Sequence, residues 1–330
     1  MMPVIAIKIG NDPYKTTIDA LSLLNDYLDV KQEEIIIKPN LLTALQMPLA
    51  NTDSNICRAV VDYFKKKHRG FKFFLGEGTT FKGTTFEAMK NNNYEHPNLW
   101  KCIDFYESRV SDWFKIYSPG IDGNPNLELG IADEFNNRYL VDVAKFKTHD
   151  VLGFTLGIKN MMGSLIEVRD SNKSIINKGP ITKAYMHGFG TKRPYKLTRE
   201  QNTGISKLSL TINIVRMAKK LKNHFGLNII DAMNCMQGNG PMRGNPKIMN
   251  MIICGTDPVA VDSVAAQIGG QKLLYLQYCE KIGIGKYNLD KIEIIGEHLE
   301  NLRNPFDMHE DFSFSTYNED EISIIEKELI

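Results

Sequence analysis

The reactive side chains of this sequence concentrate in Val143–Gly163, VAKFKTHDVLGFTLGIKNMMG. Lys145, Lys147, Lys159 and His149 bring three ammonium groups and an imidazole. Thr148, Thr155 and Asn160 add neutral donors, while Gly153, Gly157 and Gly163 permit tight backbone between them. Lysine and histidine gathered in one place pack poorly and attract anions, and an imidazole titrates near neutrality. The set therefore suits proton transfer on a small, negatively charged molecule. The neighbouring ammonium groups are expected to hold His149 neutral and available as a base, with Lys159 as a charged anchor.

Other segments can join this site. Lys38-Pro39-Asn40 ends a strand, and Pro39 restricts Lys38 to extended geometry, which aims its ammonium consistently. Leu75-Gly76-Glu77-Gly78-Thr79-Thr80 follows another strand, and its glycines allow backbone N–H groups to approach an anion. It lacks the Walker lysine and the dinucleotide fingerprint, so it points to no particular nucleotide and serves equally well as a plain turn. The loop Gln237–Pro246, QGNGPMRGNP, is too polar and too rich in glycine and proline for a packed element; Asn239, Gly240 and Arg243 are its candidate ligand contacts, Arg243 as a fork for a carboxylate or phosphate. Asp231 is the carboxylate expected to orient His149 or to bind a metal. Asp262, amid apolar neighbours, needs a partner and can pair with a site lysine. His187 is a second acid–base group, and His149 with His187 is the weak metal-ligand candidate.

The elements that must carry these groups read as α/β. Val143, Lys145 and Lys147 alternate with Ala144, Phe146 and Thr148, a period-two pattern that predicts a strand with His149 at its end. In open parallel sheets, ligands bind beyond the carboxyl ends of strands. Val4–Ile9 predicts a strand, Asp12-Pro13 a helix start, Glu34–Ile37 a strand, Asp53 or Ser54 a helix cap, and Phe71–Leu75 the next strand. Strand, helix, strand is a crossover unit, so the sheet should be mainly parallel with helices on its faces, and the length admits two lobes around a cleft. Between Asn91 and Asn137 the pattern thins to loops, a short strand near Cys102–Tyr106 and a hairpin. Residues 167–201 are polar and read as an insertion or lid. Ser206–Phe225 predicts an amphipathic helix, Leu227–Ile230 a strand ending at Asp231, and Met249–Cys254 a further strand. Asp257-Pro258 starts another helix. Residues 1–300 make up the α/β domain, and 301–330 an acidic tail with weak structure.

Forty basic against 39 acidic residues leave a net charge of +1, and the only basic run is Lys65–Arg69, so neither nucleic acid nor a membrane surface is an expected partner. No apolar run approaches the roughly 18 to 20 residues of a membrane helix, and the amino terminus carries no signal pattern. A cytoplasmic protein is expected. Cys57, Cys102, Cys235, Cys254 and Cys279 are scattered without a C-x-x-C pair, which fits free thiols in a reducing compartment and disfavours structural zinc or an intrinsic iron–sulfur cluster.

Taken together, KPN at Lys38, GEGTT at Gly76, KFKTH ending at His149, TLGIKNMMG from Thr155, IIDAMNCMQGNGP from Ile229 and GTDPVAVD from Gly255 resemble the domain of unknown function 362 family. That resemblance covers nearly the whole chain. Its members often carry a ferredoxin-type cluster domain, which implies a ferredoxin-type partner, but the cysteines of a cluster are missing here. More distantly, His149 and Lys159 within a glycine-rich loop are similar to the nickel-pincer lactate racemase family. That likeness implies two α/β lobes around a cleft, Lys159 as the tether of a cofactor, His149 as acid–base, and His187 as a further ligand in hydride or proton transfer on a hydroxy acid. The expected function is an enzyme acting on a small anionic metabolite at a Lys/His-lined cleft, with metal- or redox-linked chemistry among its options. The expected binding set is Lys38, Asn40, Gly76, Glu77, Gly78, Thr79, Lys147, Asn160, Asn239, Gly240 and Arg243, and the expected catalytic set His149, Lys159 and Asp231. A non-catalytic ligand-binding or redox-partner docking module is the alternative. The cofactor is left unassigned, and a homo-oligomer is compatible with the sequence.

Overall fold

The computed structural model describes residues 2–121, 125–190 and 197–330. The chain begins with β1 (Val4–Ile9) and α1 (Pro13–Leu23); Asp12 accepts from the Lys15 amide and Pro13 fills the first turn, as that pair predicts. β2 (Glu34–Pro39), α2 (Ser54–Lys67) and β3 (Lys72–Glu77) form the crossover unit, with Asp53 capping α2. α3 (Thr85–Asn91) and β4 (Lys101–Asp104) complete this side of the sheet. β5 (Val110–Lys115), β6 (Glu128–Ala132), β7 (Tyr139–His149), β8 (Gly153–Thr155) and α4 (Gly157–Asn160) follow. Next come β9 (Leu165–Arg169), β10 (Ile175–Lys178), α5 (Thr182–Met186) and α6 (Arg199–Leu221). β11 (Phe225–Gln237), β12 (Asn245–Gly255), α7 (Pro258–Ile268), α8 (Leu274–Lys281), β13 (Glu293–Gly296) and α9 (Glu319–Leu329) close the chain.

The fold is α/β. The main sheet runs β13-β1-β12-β11-β7-β2-β3-β4, with β8 paired to β7. Along that path the pairings are parallel except for the two made by β12, which runs against its neighbours. β7 lies between β11 and β2 and is buried along its whole length, because both sheet faces there are covered. One apolar cluster packs α1 and α2 on one face; the other joins α6, α7 and α8 to the opposite face and to the smaller sheet. That second sheet, β10-β9-β6-β5, is antiparallel. β2, β3 and β7 all run in one direction, so Pro39, Glu77 and His149 mark the same edge of the sheet. Among the described residues no helix is long and apolar enough to cross a membrane.

Several elements differ from their sequence expectation. The tail is not weakly structured: an Asn318/Glu321 capping box starts α9, Ile325 is fully buried, and Lys207 pairs with Glu321 at 2.9 Å. Its acidic side chains find partners on elements distant in sequence, Glu310, Glu321 and Glu328 on α6 and Glu326 on α8. β11 does not stop at Asp231 but continues to Gln237, with a register shift between Ala232 and Asn234 that breaks simple alternation. α6 starts at Arg199, earlier than Ser206, because Thr198 and Gln201 form a capping box. Of the stretch 167–201, β9, β10 and α5 are regular structure, whereas 191–196 lie outside the described residues.

Candidate functional site

A hollow of about 530 Å³ opens beyond the ends of β2, β3 and β7. Its lining brings together Asn40, Glu77, Gly78, Lys147, His149, Lys159, Asn160 and His187, all of them singled out from the sequence. Leu41, Leu42, Phe81, Met162, Ile181 and Met242 give it an apolar wall. A mostly apolar concavity with a few convergent polar groups is the usual form of a small-molecule site.

His149, at the last residue of β7, is almost fully buried. Its Nδ1 lies 2.9 Å from Asp150 Oδ1, while the amides of Val151 and Leu152 reach the same nitrogen at 3.2 and 3.4 Å. One nitrogen cannot both donate to the carboxylate and accept those amides. The neutral ring is a base at Nε2 in the tautomer that gives its Nδ1 proton to Asp150, and a donor at Nε2 in the tautomer that accepts the two amides. Burial, and then the charge of Lys159, lower the pKa of His149, so it is neutral at pH 7. Burial alone would raise the Asp150 carboxyl, but His149, His187 and Lys159 outweigh it and hold Asp150 well below the usual range. The His187 ring stacks near His149, with centroids 6.1 Å apart.

The lysines divide by partner. Lys147 donates to Asn40 Oδ1 at 2.9 Å and to the Ala50 carbonyl at 2.5 Å, and burial, then Lys159, pushes its pKa well down. Lys183 donates to the Gly78 carbonyl and to Thr80 Oγ1 at 2.6 Å. Lys159 Nζ makes no hydrogen bond or ion pair with a described residue. Burial lowers both Lys159 and Lys183 to about 8. A chain of amides fixes the floor. Asn160 Nδ2 donates to Asp142 Oδ1 at 2.6 Å, Asn40 Nδ2 to Asn160 Oδ1 at 2.8 Å, and Lys147 to Asn40.

The remaining expected residues are placed otherwise. Lys38 is fully buried and does not line the hollow; its Nζ pairs with Glu77 Oε2 at 2.9 Å. Glu77 also accepts the amides of Leu41 and Gly78, at 3.1 and 2.8 Å. The Gly76–Thr79 turn is therefore no open anion nest: Glu77 takes the Gly78 amide, Thr85 Oγ1 takes the Thr79 amide, and Gly76 lies inside β3 against Phe105. Gly78 is required for close approach, since a Cβ there would stand 2.4 Å from the Gly163 carbonyl. Asp231 is a correction. It is interior to β11, directly across from Lys145 in the strand register, and pairs with it at 2.9 Å while accepting the Asp53 and Met233 amides. It does not line the hollow, and Asp150 takes the place expected of it beside His149. Asp262 pairs with no lysine among the described residues but accepts the Gly157 and Ile158 amides at 2.8 and 2.9 Å, capping α4. From the glycine-rich loop, Pro241 and Met242 reach the hollow; Asn239, Gly240 and Arg243 do not. Asn239 accepts the Glu310 amide, Gly240 packs on Thr148, and Arg243 is exposed.

Sequence reasoning missed Lys183 and Asp150 as site groups, and it named Thr155 as a neutral donor without placing it in the binding set. Lys183 and His187 are one helical turn apart, a spacing that places two side chains on the same face. Asp150 directly follows His149 in the sequence. Thr155 lines the hollow at 4 % exposure, and its Oγ1 has no partner among the described residues.

For metals the donors do not converge: among the described residues no group of three or more His, Cys, Asp or Glu is placed to hold an ion. Cys57, Cys235, Cys254 and Cys279 are buried, and among the described residues no cysteine lines the hollow.

Comparisons with known proteins give distant likenesses. The chain is 24% identical over 237 residues to a thylakoid-associated protein of Synechocystis sp., covering 72% of this chain and 63% of that one. It is 24% identical over 218 residues to a probable cadmium-transporting ATPase of Staphylococcus aureus, covering 58% of this chain and 29% of that one. The chain thus spans less than two thirds of the length of these curated relatives. Among solved structures, the lactate racemase apoprotein of Thermoanaerobacterium thermosaccharolyticum has a TM-score of 0.39 at 15% identity, over 69% of this chain and 50% of that one. A Thermotoga maritima protein has a TM-score of 0.40 at 10% identity, over 83% of this chain and 60% of that one. Residues 35–267 match the model of the domain of unknown function DUF362, and the chain belongs to that family.

Proposed function

We propose that the hollow is the active site of an enzyme acting on a small anionic metabolite. The observation that carries this reading is the convergence of three lysines, Lys147, Lys159 and Lys183, with a neutral His149 oriented by Asp150. The ammonium groups attract and hold the anion, and the apolar wall excludes water and strengthens that attraction. His149 Nε2 takes a proton from the bound molecule, with Asp150 stabilising the imidazolium that forms. A carrier or docking module needs the basic lining but has no use for an oriented imidazole, so the His149–Asp150 pair favours catalysis.

Two measurements test the proposal. Small carboxylates and phosphates are screened for a rise in melting temperature, and those that bind are incubated with the protein in D2O while NMR follows exchange of carbon-bound protons. The expected result is a stabilising anion whose exchange is lost in His149→Asn although binding persists. Stabilisation by no small anion, or exchange equal in wild type and variant, overturns it.

A further inference from the structure

We propose that Lys159 is a nucleophile whose amine condenses with the carbonyl of a small oxo-carboxylate, holding it as an imine. This rests on the anion-enzyme reading above and names its substrate class. The three lysines of the hollow are differently engaged. Lys147 and Lys183 each spend two N–H bonds on fixed oxygens, which holds both nitrogens in place as hydrogen-bond donors. Lys159 has no such partner. A lysine kept for its charge gains by pairing, whereas an attacking amine needs an uncommitted lone pair. Burial brings Lys159 to about 8, which leaves roughly a tenth of it as free amine at neutral pH.

The surroundings match the two ends of such a molecule. The Thr155 hydroxyl, buried and unpartnered among the described residues, is available to the carbonyl oxygen or the carboxylate. Phe81, Met162 and Ile181 face the carbon skeleton and keep out the water that hydrolyses imines. In the step itself the Lys159 nitrogen bonds to the carbonyl carbon as the C=O π bond breaks. His149 Nε2 accepts the proton shed by nitrogen and returns a proton to the departing oxygen. One water leaves for each imine formed, and nothing is oxidised or reduced.

The experiment treats the full chain with pyruvate or 4-methyl-2-oxopentanoate and sodium cyanoborohydride, followed by peptide mass mapping. Reduced adduct is expected on Lys159 at more than tenfold the level of any surface lysine, and labelling should slow at least tenfold in His149→Asn. Lys159→Arg keeps the charge but cannot form the imine, so it should retain the oxo acid's stabilising effect and lose the label. Label spread evenly over surface lysines, or label undiminished in Lys159→Arg, overturns the proposal. Thermal stabilisation by these oxo acids without label on Lys159 overturns the imine alone and leaves the anion-enzyme reading standing; absence of both overturns the two together.

Discussion

Two sets of buried charges flank the same edge of the sheet and behave differently. Beneath the sheet edge, Lys38 meets Glu77 and Lys145 meets Asp231, each pair at 2.9 Å and nearly free of solvent. Above it, the cations of the hollow face one another with Asp150 and Glu77 as nearby carboxylates, and Lys159 has no direct partner among the described residues. The alternation of β7 puts Lys145 and Lys147 on one face two residues apart, yet the first is matched by a carboxylate and the second only by neutral oxygens. Charge that is answered within the fold holds strands in register; charge left unanswered is available to a ligand. Buried lysine by itself therefore says little about function until its partner is known.

The sharpest way to break this comparison is to remove one member of an answered pair. Asp231→Ala strands the Lys145 ammonium and the Asp53 amide, and is expected to cost about 3–5 kcal/mol in urea denaturation. A loss under about 1 kcal/mol would show that the pair does not hold β7 against β11. Lys159→Met should do the reverse. It removes an unanswered charge, so stability is expected to stay within about 1 kcal/mol of wild type or to rise, while stabilisation by small anions disappears.

Proton linkage sharpens the contrast. Lys159 and Lys183 fall from 10.5 to about 8. A depressed lysine contributes stability that is present above its unfolded value and lost as pH falls through the folded one. The ligand-free protein should therefore gain stability from these groups as pH rises from about 8 to 10.5, whereas anion affinity should fall over that window. Titration calorimetry and urea melts at several pH values check both signs, and parallel trends would contradict them. The smallest effect belongs to the exposed pair Lys281–Glu326 at 3.1 Å: Lys281→Ala should change stability by less than about 1 kcal/mol.

The sheet edge was legible because β7 alternates cleanly and because Lys38-Pro39-Asn40 and Gly76-Glu77-Gly78 both follow obvious strands. Asn40, Glu77, Gly78, Lys147 and His149 of the hollow's lining come from those three segments, and Lys159 and Asn160 from α4 just beyond. What could not be read was pairing across the sheet. Whether Lys145 or His149 receives Asp231 depends on register, and β11 runs past Asp231 through a bulge that hides its length. Lys183 was obscured for another reason: its short helix sits in a polar stretch without an apolar stripe, and it gains meaning only where its ammonium reaches Gly78. The antiparallel pair β5 and β6 lies in the stretch where a hairpin was expected, but its strand bounds could not be placed, since their burial is completed by β9 and α6 rather than by a local pattern.

The amide chain from Asp142 to Lys147 has a direction. Each asparagine gives with its nitrogen and receives with its oxygen, so once Asp142 accepts at one end, the polarity of every later link is settled and Lys147 must arrive as a donor. The seat for a ligand is thus assembled in advance from within the sheet, and whatever enters it meets a lysine nitrogen already pointed and held, with little ordering left to oppose its capture.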